Sequence, residues 1–112
     1  MQYALLAYGS QSSQEAGRPM LPAIADVLAR PYVTGWVRLH ADESATTVRN
    51  AEGGSLLTDG PFIESKEYLA GLIMIEAANL DEALAIAQEL QQTRTSGAIE
   101  VRPVVEGLFS GA

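Results

Sequence analysis

The stretch Leu69-Ala70-Gly71-Leu72-Ile73-Met74-Ile75-Glu76 decides the fold. Side chains alternate across a strand, so Leu69, Gly71, Ile73 and Ile75 share one face and Ala70, Leu72 and Met74 the other. Neither face carries a polar group before Glu76, and such a strand needs cover on both sides. Tyr3 to Tyr8 (Tyr-Ala-Leu-Leu-Ala-Tyr) has the same character. These two segments are the candidates for the centre of a sheet.

Working outward from them, Gly9-Ser10-Gln11 makes a turn after the first strand. Ser12 and Glu15 resemble a capping box, but Gly17 and Pro19 confine any helix there to one or two turns. A firmer helix spans Met20 to Ala29: Pro22 suits its first turn, Leu21, Ile24, Ala25 and Leu28 form an apolar stripe, and Pro31 ends it. Val33 to His40 alternates as a strand, with Val33, Gly35, Val37 and Leu39 opposed to Thr34, Trp36, Arg38 and His40. Ala45 to Arg49 and Ser55 to Thr58 are two short strands joined by the loop Asn50 to Gly54. Asp59-Gly60-Pro61 is a turn, and Glu64 to Tyr68 is one loose helical turn.

Beyond the strand at 69–76, Asn79 caps a second helix from Leu80 to Gln92, with Glu82 three residues on and Leu80, Ala83, Leu84, Ala87 and Leu90 as its stripe. Thr93 to Gly97 is a loop. Ala98 to Val104 is the last strand, and Pro103 places it at an edge or a strand end. With 112 residues and neither linker nor repeat, residues 1–112 form a single domain.

This order is the split β-α-β arrangement, a ferredoxin-like α+β fold (β-α-β-β-α-β) with an inserted hairpin. Its two helices cover one face of the sheet, which leaves Leu72 and Met74 facing water on the other. A second copy packed sheet to sheet gives a two-fold homodimer, a dimeric α+β barrel. The alternative within one chain is that the hairpin folds across the open face.

Apolar residues make up 47% of the chain and charged residues 19%, a globular balance. The net charge of −7, without a Lys/Arg cluster, opposes a phosphate backbone and an anionic membrane surface, so neither nucleic acid nor membrane is an expected partner. No stretch reaches the ~20 apolar residues of a membrane span, and no basic leader precedes Tyr3, which favours the cytoplasm. The absence of cysteine excludes thiol catalysis and disulfides. With a single histidine, a metal site would be almost wholly carboxylate, and no spacing provides one; no phosphate loop or nucleophile elbow occurs either. Neither metal nor cofactor is expected.

The candidate ligand-binding residues are Trp36, His40, Arg49, Asp59, Glu64, Lys66, Tyr68 and Arg102. His40 titrates near neutrality and shares a strand face with Trp36, as a cleft base or as a strand-end residue in water. Asp59 either fixes the Gly60-Pro61 turn or offers a carboxylate to a cleft. Phe62 reads as a core plug, with Glu64, Lys66 and Glu67 a charged turn or a cleft rim. Arg49, Glu100 and Arg102 lie on strands, as cross-strand ion pairs or as guanidinium groups for an anion. Tyr68 and Trp36 are cleft aromatics or core.

The segment Asp59-Gly60-Pro61-Phe62-Ile63-Glu64-Ser65-Lys66-Glu67 resembles the DGPFAETKE signature of the YCII-related family, departing from it at Ile63 and Ser65. Ala45-Thr46-Thr47-Val48-Arg49 is similar to the family's ATTVR strand, and Asp81-Glu82-Ala83 to its DEA helix start. Gly97 to Val104 is similar to its closing G-x-x-EVRP strand. The resemblance implies a dimeric α+β barrel with a cleft between or beside the sheets, and an association with alternative sigma factors of the extracytoplasmic type. Some relatives are lyase-type enzymes with a His after an Arg-Pro in the first helix and an Asp in an Asp-Pro pair after the second. Here Met20-Leu21 follow Arg18-Pro19, and Gln91-Gln92 stand at the second place, so that activity is not carried over. The expectation is a small-molecule-binding or accessory protein. The alternatives are a cofactor-independent lyase, isomerase or monooxygenase with a cleft at the dimer interface, and a structural interaction module.

Overall fold

The computed structural model describes residues 1–9, 19–63 and 67–108. Its elements are β1 (Gln2–Gly9), α1 (Pro22–Leu28), β2 (Val33–Arg38), β3 (Thr46–Ala51), β4 (Gly54–Asp59), β5 (Tyr68–Glu76), α2 (Leu80–Gln92) and β6 (Ala98–Pro103), with a 3-10 turn at Asp42–Ser44. The suggested capping box at Ser12 lies outside the described residues.

The main sheet has the order β2-β5-β1-β6 and is antiparallel throughout. The two strands read as apolar on both faces are its centre, and β6, with Pro103, is an edge. An α+β chain with a four-stranded antiparallel sheet and two helices is compatible with the ferredoxin-like reading. Tyr3, Leu5, Ile73 and Ile75 point to the helix-covered side and are buried, Leu5 and Ile75 completely. Fully burying a side chain of this size contributes roughly 1.5–3 kcal/mol. Val27 and Leu28 of α1 and Ala83, Ile86, Ala87 and Leu90 of α2 close the same core.

Both helical stripes are rotated from the expected ones. Leu21 is the N-cap of α1, with extended backbone, because Pro22 occupies the first helical position and steers its predecessor out of helical angles. Leu21 is therefore exposed, Ala25 is exposed as well, and Val27 takes a core place. In α2 the Asn79 side chain accepts the Glu82 N–H at 2.9 Å, as the capping pattern predicts. Leu80 and Leu84 face outward while Ile86 is buried. Arg30, just past α1, joins the helices through an ion pair to Glu89 of α2 at 2.6 Å.

Two strands are irregular. Val33 stands opposite Ile75 but Gly35 opposite Met74, so β2 carries a bulge at Thr34. Beyond it the alternation is reversed: Val33, Trp36 and Arg38 share the helix side, and Gly35 and Val37 the other. The single alternation expected for Val33 to His40 thus fails at its first step. A second shift, between Ala7 and Tyr8, leaves Ala70 unmatched on β5. Tyr68 already belongs to β5 and to no helical turn.

β3 and β4 form a separate two-stranded sheet with the two-residue loop Glu52-Gly53, tighter than expected, and Gly53 supplies the positive φ of 84° that this turn requires. No residue of either strand is buried. The hairpin does not fold across the open side of the main sheet, where Leu6, Leu72 and Met74 stay partly exposed.

Candidate functional site

On the helix side of the sheet, where β1, β2 and β5 meet the ends of both helices, lies a cavity of about 300 Å³. Ala7, Gly71 and Ile73 supply its wall from the sheet, Ile24 and Leu28 from α1, and Leu90 from α2. Trp36, Arg38, Arg94, Thr95 and Ser96 add the polar and aromatic part. Trp36 stands opposite Ile73 and Arg38 opposite Gly71, so the bulge at Thr34 is what turns both toward this side. Gly71 permits the close approach of β2: a Cβ there would lie 2.7 Å from the Val37 carbonyl oxygen. An apolar wall with a few convergent polar groups is the usual make-up of a small-molecule site.

Arg94 is held in the cavity lining by three hydrogen bonds. Its Nη2 donates to the Tyr8 carbonyl at 2.7 Å, and its Nη1 donates to Gln91 Oε1 at 3.0 Å and to the Ala98 carbonyl at 3.2 Å. Gln91 in turn donates to the Gly97 carbonyl at 3.0 Å, fastening the loop from the other side. Gly97 completes the arrangement with a φ of +79°; a Cβ there would meet the Tyr8 carbonyl oxygen at 2.1 Å. Burial holds the Arg94 guanidinium below the ordinary arginine range, partly offset by the negative field of Glu67. An arginine nonetheless stays charged at any ordinary pH.

The expected site residues do not gather. Among the six candidates that fall in the described residues, only Trp36 lines the cavity. His40 is exposed beyond the end of β2, at one edge of the sheet. Arg102 sits on β6 at the other edge, on the open side opposite Ala4, and is ion-paired with Glu100 of the same strand. That pair raises the Arg102 pKa, first through its hydrogen bond and then through charge. Arg49 and Asp59 belong to the exposed hairpin. The turn after β4 is tied by Gly60, whose N–H donates to the Ala45 carbonyl and whose carbonyl accepts the Thr47 hydroxyl at 2.7 Å. Tyr68 opens β5 opposite Gly9, and its phenolic oxygen is buried. Glu64 and Lys66 lie outside the described residues.

Phe62 is not a core plug: it is 64% exposed, with the Arg49 guanidinium 4.6 Å from its ring centroid. The residues missing from the sequence reading are Arg38 and Arg94. Arg38 is placed by a bulge that leaves no mark in a period-two pattern. Arg94 reads from sequence as a solvated cation after a helix end; its anchor at Tyr8 lies 86 positions away.

Among the described residues no helix is long and apolar enough to cross a membrane. No group of three or more metal-ligating side chains gathers among them either.

A family model described as "YCII-related domain" matches residues 1–107. The chain is 36% identical over 115 residues to "Uncharacterized protein R00369" of Rhizobium meliloti (strain 1021), with 93% of this chain and 92% of that protein covered.

Proposed function

The chain belongs to the YCII-related family, and on that footing we propose that it is a homodimeric accessory protein that binds a small molecule in the cavity between the sheet and its helices. The observation that carries the binding reading is the cavity itself, about 300 Å³, walled by Leu28, Ile73 and Leu90 with Trp36 at its polar side. That is the lower end of the volume of known ligand sites.

Trp36 is the single tryptophan, so tryptophan emission comes from this one cavity-lining side chain. The measurement is a fluorescence titration of the protein with 4-phenylbutanoate and with 4-phenylbutanamide. At least one of them changes Trp36 emission saturably, and Ala7→Leu, which places three more carbons in the cavity, removes the change. Binding that survives this filling substitution places the ligand elsewhere.

The homodimer rests on the open side of the sheet. Leu6, Leu72 and Met74 line up across β1 and β5 there and are partly exposed, with the exposed Val37 of β2 beside them, while the hairpin forms a sheet of its own. A contiguous apolar strip of this kind suits a self-complementary interface about a two-fold axis. Sedimentation equilibrium at micromolar concentration gives twice the chain mass, and Leu72→Glu returns it to one. A wild-type protein sedimenting as a single chain refutes the dimer and leaves the cavity reading untouched.

A further inference from the structure

The binding reading leaves the ligand's chemistry open, and Arg94 narrows it. An arginine carries five N–H donors. Three of those of Arg94 are committed to neutral acceptors: Tyr8 O, Ala98 O and Gln91 Oε1. Two donors, on Nε and Nη2, have no partner among the described residues. No carboxylate there lies within ion-pairing distance of the group; Glu67 acts on it only through its field.

A partly buried cation whose hydrogen bonds among the described residues all go to carbonyls, with Glu67 acting on it from a distance, has lost water without gaining an ion-paired counter-charge there. The carbonyls fix its orientation before any ligand arrives, so little ordering remains to oppose binding. Thr95 and Ser96 add two hydroxyl donors beside it, neither engaged in a hydrogen bond among the described residues. Two free guanidinium donors match the two oxygens of one carboxylate. A chain of net charge −7 disfavours a polyanion by comparison.

We infer that the cavity takes an organic monocarboxylate, with Arg94 receiving the carboxylate and an aromatic or alkyl body lying against Leu28, Ile73 and Leu90. The inference rests on the binding reading above and adds the ligand class to it. It predicts that charge at one end of the ligand decides affinity while the body remains apolar.

The test compares 4-phenylbutanoate with 4-phenylbutanamide, two probes of the same size and body that differ in the charged end, by calorimetry on the full chain. The carboxylate binds about tenfold tighter or more, as expected when a charge-assisted pair replaces a neutral one. Its advantage shrinks with added salt. Arg94→Gln brings the two affinities together, and Arg94→Lys, which keeps the charge but not the fork, retains part of the gap. Thermal unfolding of both variants shows whether the loop has kept its anchor. The wild-type comparison does not depend on either variant folding. Equal binding of acid and amide to the wild type overturns the monocarboxylate assignment while leaving the cavity a binding site. Binding of neither overturns the cavity reading and this inference with it.

Discussion

The four-stranded sheet and the β3–β4 hairpin are built from the same kinds of residue and meet opposite fates. In the sheet, Leu5 and Ile75 have no exposed surface, because two helices lie over them. In the hairpin, Val48 and Leu57 face each other across the ladder and remain 67% and 64% exposed. Hydrogen bonding is similar in both; the difference is cover. A two-stranded ribbon with nothing on either face is at best marginal in water. The sheet is therefore where the chain's own stability resides, and the hairpin is where its apolar side chains stay exposed.

The largest effect breaks the sheet side of this comparison. Ile75→Ala empties the centre of the core at a residue with no exposed surface, and the loss of about 2–5 kcal/mol typical of such truncations is expected. Urea unfolding reads it as a lower midpoint at unchanged slope. A loss below about 1 kcal/mol would mean that the helices do not close over β5 as described.

The sheet was legible in sequence because burial on both sides leaves an unbroken apolar run, which no exposed strand needs. The caps were legible for a local reason: Asn79 with Glu82, and Pro22 at the first helical position, act within one turn. Pro22 carried more than was taken from it, since the residue before a proline is extended and Leu21 could not belong to the helix stripe. The outward-facing Leu80 and Leu84 were not legible, because neighbouring apolar positions of one helix compete for the same core and periodicity ranks them equally. The site was hardest to see. Trp36 was found as an aromatic on a strand, but Arg38 reaches the cavity through a bulge and Arg94 through a carbonyl on another strand. Neither a one-residue slip nor a contact across most of the chain leaves a periodic trace.

The second effect tests the hairpin side. Val48→Ser combined with Leu57→Ser removes two apolar side chains that are mostly exposed. Protomer stability, measured at dissociating dilution, changes by no more than about 0.5 kcal/mol. If the hairpin joins the open sheet face in contacting a second copy, the dimer's dissociation constant rises about tenfold or more, the worth of one buried aliphatic side chain. A large loss of protomer stability would show instead that the hairpin is covered within its own chain.

The smallest effect sharpens the comparison by giving it a pH dependence. Arg30 ties α1 to α2 through Glu89, a link on the covered side with no counterpart in the hairpin. The hydrogen bond from Arg30 holds the Glu89 carboxyl below its ordinary value of 4.5, and the Arg30 pKa is raised by the same bond. Arginine stays charged over the whole accessible range, so the slope with pH comes from its carboxylate side. There Glu89 is the partner whose pKa the pair depresses, and Asp26 is a second, longer contact at 3.4 Å. A carboxyl with a depressed folded-state pKa contributes stability that is complete above its unfolded pKa and is lost as pH falls through the folded value. The difference in melting temperature between the wild type and Arg30→Met is therefore constant from neutrality to about pH 5 and closes below pH 4.5. Both partners reach solvent, so the difference is small and diminishes with salt. The hairpin double variant, which touches no titrating pair, shows the same melting difference from wild type at neutrality and below pH 4.5. A melting difference for Arg30→Met that persisted unchanged below the carboxylate range would assign Arg30's contribution to its packing against Tyr32, whose hydroxyl accepts from it at 3.1 Å, and not to its charge.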